Sequence, residues 1–107
     1  MKGWQRSRDA ALAFKDACMA GDTATAASYV AENINEKVES ICAQMRATSM
    51  TSSDLFLGNH ITTVGKDGPI YRWPLLWWSE AGSLSGVFLS LHEIDGIFII
   101  VDFSLTS

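Results

Sequence analysis

The chain has 107 residues, 48% of them hydrophobic and 19% charged, with a formal net charge of −4. This is the composition of a globular protein and speaks against disorder, and the length gives one domain, residues 1–107, large enough to build a core without a metal or disulfide staple. The charge argues against a nucleic-acid partner, which needs clustered Lys and Arg: residues 47–107 hold only two basic side chains against six acidic ones.

The opening Met1-Lys2-Gly3-Trp4-Gln5-Arg6 has no apolar leader segment, so a cytoplasmic location is the default expectation. No run approaches the ~18 apolar residues of a membrane span. The first predicted helix runs from a cap at Ser7 to about Ala20, with Ala11, Leu12, Lys15, Cys18 and Met19 at helical spacing and Ala10 and Phe14 beside them. Trp4 precedes that cap and can fold back as an apolar lid. Gly21 supplies the positive φ that ends a helix, and Asp22 caps a short alanine-rich helix over Thr23–Ala31. A third helix starts at Asn33 or Asn35 and runs to about Thr48, with Val38, Ile41, Cys42 and Met45 on one apolar face. Cys18 and Cys42 match neither CxxC nor zinc spacing; buried free thiols are expected, an inter-helix disulfide being the alternative.

A polar connector, Thr48–Ser53, leads to the sheet. Leu55–Val64 is the first strand candidate, interrupted by Gly58, Asn59 and His60. Gly65–Gly68 reads as a turn. From Pro69 to Leu105 three aromatic and β-branched runs are separated by Glu80–Ser83 and by Asp95-Gly96, a strong hairpin signal because both turn positions take positive φ. Pro74 lacks an N–H and should mark an edge or a bulge. The expected class is α+β: N-terminal helices packed in a curved, four-stranded antiparallel sheet.

The two-residue turn implies a register. Ile94 pairs with Ile97, His92 with Ile99, Ser90 with Val101 and Phe88 with Phe103; on the other face Leu91 pairs with Ile100 and Leu89 with Asp102. A four-residue loop at Glu80–Ser83 then sets Tyr71, Trp73 and Trp77 beside the His92 face, with Tyr71 opposite His92, and sets Arg72 and Trp78 beside the Asp102 face. His60 or Asn59 can join Tyr71 from the first strand. Both faces are apolar, so both should be covered. The helices supply one cover, and a second copy of the chain is the simplest source of the other, with Trp78, Leu89, Ile100 and Asp102 at the contact.

Phe14-Lys15-Asp16-Ala17-Cys18-Met19-Ala20-Gly21-Asp22, followed by Ala26-Ala27-Ser28-Tyr29-Val30, resembles the N-terminal signature of the nuclear transport factor 2-like (cystatin-like) superfamily. The order of elements extends the resemblance over most of the chain, and small bacterial members have similar length. The resemblance implies a cone, with helices inside a bent sheet and a pocket at its open end. Members range from isomerases, dehydratases and epoxide hydrolases to non-catalytic association domains. In the isomerases a tyrosine is one oxyanion donor, a part Tyr71 can take, but no carboxylate here matches their catalytic acids by motif.

The leading expectation is therefore a small non-catalytic domain, without cofactor or metal, that binds an apolar small molecule or a protein partner. Tyr71, Trp73, Trp77, Phe88 and His92 would line its pocket. The alternatives are a cofactor-free isomerase, dehydratase or hydrolase acting through Tyr71, His92 and Asp102, and a purely structural accessory domain. Arg72, or an arginine of another subunit, is the expected partner for Asp102, which would otherwise be an unpaired carboxylate among apolar side chains.

Overall fold

The computed structural model of the protein describes residues 2–48, 55–78, 82 and 84–106. Helices come first: α1 (Gly3–Met19), α2 (Thr23–Ala27) and α3 (Val38–Thr48), the last entered through a 3₁₀ segment at Glu32–Lys37. Five strands follow: β1 (Leu55–Leu57), β2 (Ile61–Gly65), β3 (Gly68–Trp78), β4 (Leu84–Ile94) and β5 (Ile97–Thr106). They form one open antiparallel sheet in the order β1-β3-β4-β5, with β2 also on β3. Among the described residues no helix is long and apolar enough to cross a membrane. The expected connector over Thr48–Ser53 lies, beyond Thr48, outside the described residues, as do Asp54 and Glu80.

The α+β class holds, with five strands in place of four. The expected first strand breaks at Gly58–His60, and its halves pair with successive stretches of β3, Leu55–Leu57 with Leu75–Trp77 and Ile61–Gly65 with Gly68–Arg72. Pro74 sits opposite the break. It marks neither an edge nor a bulge: β3 is an interior strand and its pairing with β4 runs unbroken through Pro74. The missing N–H falls in the gap between β1 and β2, where the Pro74 carbonyl accepts from the Gly58 N–H at 2.9 Å. A Cβ on Gly58 would come within 2.9 Å of Pro74 Cγ, so the chain can cross here only as glycine.

Helix α1 starts at Gly3, ahead of the expected cap at Ser7, and the Lys2 N–H donates to Gln5 Oε1 at 2.9 Å. Its buried face is Ser7, Ala11, Phe14, Ala17 and Cys18, turned slightly from the predicted stripe because Phe14, not Leu12, packs against the sheet. Gly21 ends the turn at φ 78°, as expected. Asp22 caps α2, its two carboxylate oxygens accepting from the Thr25 hydroxyl at 2.6 Å and the Thr25 N–H at 3.1 Å. Those bonds, the hydroxyl first, hold its carboxyl below the ordinary range.

Helix α2 stops at Ala27, short of Ala31, because the next residues leave it for the sheet. The Ile100 N–H donates to the Tyr29 carbonyl and the Ala31 N–H to the Ile100 carbonyl, both at 2.8 Å, and Val30 bridges to Ile100 in parallel. This short graft covers the middle of the β5 edge, which would otherwise present unpaired backbone groups. Helix α3 buries Val38, Ile41, Cys42 and Met45, the predicted face.

Cys18 and Cys42 are not free thiols. They form a disulfide, fully buried, with Cα atoms 4.7 Å apart, that ties α1 to α3. The inter-helix alternative is the correct one, since the two apolar faces meet at these residues. A cross-link over a sequence separation of 24 stabilises by roughly 3 kcal/mol, chiefly by restricting the unfolded chain. Cys42→Ala should lower the urea-derived unfolding free energy by about that amount. Reductant should produce the same loss in the wild type and none in the variant.

Candidate functional site

Because side chains alternate along a strand, the register decides which residues can meet. The Asp95-Gly96 turn forms as expected, with φ of 52° and 81° and Ile94 paired with Ile97. The predicted pairs hold through Leu91–Ile100. There the register slips: Ser90 pairs with Asp102, leaving Val101 as the extra residue of a bulge. On β3 the pairing begins at Trp78–Leu84, so five residues, not four, separate the strands. Tyr71 therefore lies opposite Leu91, and Ile70, not Tyr71, lies opposite His92.

These two slips reassign the expected site. Trp73, Leu75, Trp77, Val87, Leu89, Leu91, Phe98 and Ile100 are buried on the face that packs against the helices. Leu89 and Ile100, expected at an interface with a second copy, are fully buried core residues of a single chain. Phe103 joins them by pairing with Leu89, and its ring meets Phe14 of α1 at 5.7 Å. The opposite face carries Arg72, Trp78, Phe88, His92 and Asp102. The five expected pocket residues are thus divided, Tyr71, Trp73 and Trp77 on the covered face and Phe88 and His92 on the open one. Of the three candidate catalytic groups, His92 and Asp102 share a face without an ion pair between them, and Tyr71 is on the other side of the sheet. His92 Nδ1 lies 3.3 Å from the Pro69 carbonyl. They do not converge.

What does converge lies at the start of α1. The His60 ring stacks on Trp4, 5.7 Å between centroids and 7° between planes, and approaches Trp73 at 4.7 Å and Tyr71 at 5.9 Å. The sequence suggested His60 beside Tyr71; it did not show Trp4 completing the group, because Trp4 belongs to the first turn of a helix that starts earlier than its cap signal. The Tyr71 ring also meets Phe98 edge-on at 5.8 Å, and a Cβ on Gly3 would fall 2.7 Å from its hydroxyl, so helix and ring approach closely only because residue 3 is glycine. Arg6 lies over the Phe98 ring at 5.2 Å, donates to the Gly96 carbonyl at 2.7 Å and pairs with Glu93 at 2.6 Å, which docks the β4–β5 turn onto the helix.

Beneath these rings Ser7 is fully buried inside the helix, where a cap had been expected. Its Oγ accepts from Trp73 Nε1 and donates to the Trp4 carbonyl, both at 2.8 Å. A buried indole N–H needs such a partner. The signal for this is a serine at i−4 to Ala11 and i−7 to Phe14, on the apolar stripe itself.

The open face is differently built. Trp78 is 53% exposed, Leu84 50% and Ile97 62%, although all three stand on strands whose other side is core. Across its centre runs a polar row, Arg72 on β3, Ser90 on β4 and Asp102 on β5. The Arg72 guanidinium rests over the Phe88 ring at 4.8 Å. Among the described residues neither Arg72 nor Asp102 has an ion-pair partner, so the expected Arg72–Asp102 bridge is not made within the chain. Cavities of about 310 Å³, lined by Trp4, Gln5, Arg8 and Asp9, and about 460 Å³, lined by Glu36, Lys37, Ser40, Ile41 and Phe103, open elsewhere and include neither residue. Among the described residues no group of three or more His, Cys, Asp or Glu side chains is placed to hold a metal.

Comparison with protein-family models, with characterised proteins and with solved structures returns no match to this chain.

Removing the Ser7 hydroxyl strands a buried indole N–H, so Ser7→Ala should destabilise the fold by roughly 1–3 kcal/mol. Adding Trp73→Phe removes the stranded donor, and the double variant should lose less than the sum of the two single losses in urea titrations.

Proposed function

We propose that this chain is a small non-catalytic association domain whose working surface is the open face of its sheet, and that the surface pairs with a second copy to give a homodimer. The observation that carries the reading is the exposure of Trp78, Leu84, Ile94 and Ile97 on strands whose reverse side is close-packed core. These side chains form two pairs on the open face, Trp78 with Leu84 at one end of β4 and Ile94 with Ile97 at the other, and large exposed apolar side chains on one face of a folded chain mark an interaction surface. The size is suitable. Four strand widths by the eleven residues of β3 or β4 give a footprint of roughly 600–700 Å², near the ~800 Å² per partner of a stable interface.

A helix-covered sheet with its other face open is also what supports placing the chain, as a proposal, beside the cone-shaped nuclear transport factor 2-like domains it resembles in sequence. A catalytic reading has less support, since Tyr71 is separated from His92 and Asp102 by the sheet itself. A second binding reading has one observation in its favour. The 310 Å³ cavity is lined by Trp4 with Gln5, Arg8 and Asp9, so a small flat molecule there would find the indole to stack on.

Each reading makes its own prediction. The wild type should run as a dimer in light scattering, and Trp78→Glu or Leu84→Glu should give a folded monomer with an unchanged far-ultraviolet spectrum. A wild type that is monomeric at its highest soluble concentration removes the association reading. For the second reading, apolar aromatic compounds should raise the Tm of the wild type but not of Trp4→Ala. Equal shifts in both place the binding elsewhere.

A further inference from the structure

The polar row across the open face has a handedness that selects one way of pairing two copies. Arg72, Ser90 and Asp102 occupy neighbouring strands at the same level, with Ser90 on the central strand and the two charges one strand to either side. Two sheets packed face to face are related by a two-fold axis lying between them. If that axis runs along β4, the rotation exchanges left and right. Arg72 of each copy is then carried over Asp102 of the other. If it runs across the strands, Arg72 faces Arg72 and Asp102 faces Asp102, and like charges meet at the centre of a desolvated contact.

We propose that the homodimer forms with its two-fold axis along β4 and is held in that orientation by two reciprocal Arg72–Asp102 ion pairs. This rests on the association reading above and adds the geometry to it. The distances suit it. Aligned sheets pack about 10 Å apart, a gap that a long arginine and a short aspartate span head to head. Each charge is only about 5 Å from the central strand, so the ~30° angle between aligned sheets moves the partners apart by no more than about 3 Å. Apolar matches accompany the charges. Ile70 of one copy faces Ile99 of the other, because these two flank His92 as Arg72 and Asp102 flank Ser90. Within the chain neither charge has an ion-pair partner among the described residues: Asp102 takes a 3.4 Å hydrogen bond from the Ser104 hydroxyl and Arg72 lies over Phe88, which leaves the ion pair itself to the second copy.

The test is a charge swap read by sedimentation or light scattering on the full chain. Arg72→Asp and Asp102→Arg should each weaken self-association at least ~100-fold, since each sets like charges against one another twice. The double variant Arg72→Asp/Asp102→Arg should restore the dimer. So should mixing the two single variants, because a mixed pair contains two attractive contacts and no repulsive one. Far-ultraviolet spectra verify folding, and the double variant keeps the test open if one single variant does not fold. A wild type that is monomeric overturns the association reading and this geometry with it. A wild-type dimer that either single variant leaves intact, or single variants that are rescued neither by mixing nor by the double swap, overturn the geometry alone.

Discussion

One surplus residue in β5 decides which side chains of this protein meet. Without the bulge at Val101, continuation of the Leu91–Ile100 pairing would set Asp102 against Leu89, on the face pressed to the helices. A carboxylate there would be stripped of water, at a cost that only a paired cation could offset. Inserting a single residue turns Asp102 outward and Phe103 inward, so that a ring instead of a charge meets Phe14. The centre of the covered face stays apolar, and the open face acquires the charge that completes its polar row.

The helical layer is seated on that face by contacts of several kinds. Burial of Phe14, Leu75, Leu89, Leu91 and Ile100 supplies most of the driving force, at about 1.5–3 kcal/mol for each fully enclosed side chain. The Ser7–Trp73 hydrogen bond fixes where along β3 the helix lies, and Arg6 fixes the hairpin end. The Arg6–Glu93 pair is about half exposed and contributes under about 1 kcal/mol, so its part is orientation more than stability. The Cys18–Cys42 link then locks α3 to α1 behind the sheet. With one face so firmly occupied, Trp78, Leu84, Ile94 and Ile97 on the other stay exposed, and the open surface follows from the same alternation that made the core.

Much of the architecture was legible because it depends on local signals. Gly21 and Asp22 announced a helix end and the next helix start, and the single apolar face of α3 was readable from its spacing. Asp95-Gly96 fixed a hairpin whose first pairs are as expected, and that Arg72 and Asp102 share a face emerged correctly, though not the level at which they stand. That last success has an instructive cause. The loop before β4 is one residue longer than expected and β5 carries one residue more, so each slip reverses one of the two side chains and the shared face survives, while both residues shift to the level of Ser90 and Tyr71 moves away from His92. The warning was present in the sequence: a register that buries Asp102 beside Leu89 is physically expensive, and a bulge relieves it more simply than a salt bridge.

The chain by itself settled the order of its elements, the turn that sets the last hairpin and the apolar character of both sheet faces, because each follows from residues close together in sequence. Only the tertiary structure decided which face the helices cover, that the two cysteines meet, and that Trp4 and His60 stack although they are far apart along the chain. Those outcomes turn on single-residue offsets and long-range packing. In a strand one residue reverses the direction of every side chain beyond it, and no local pattern carries that information.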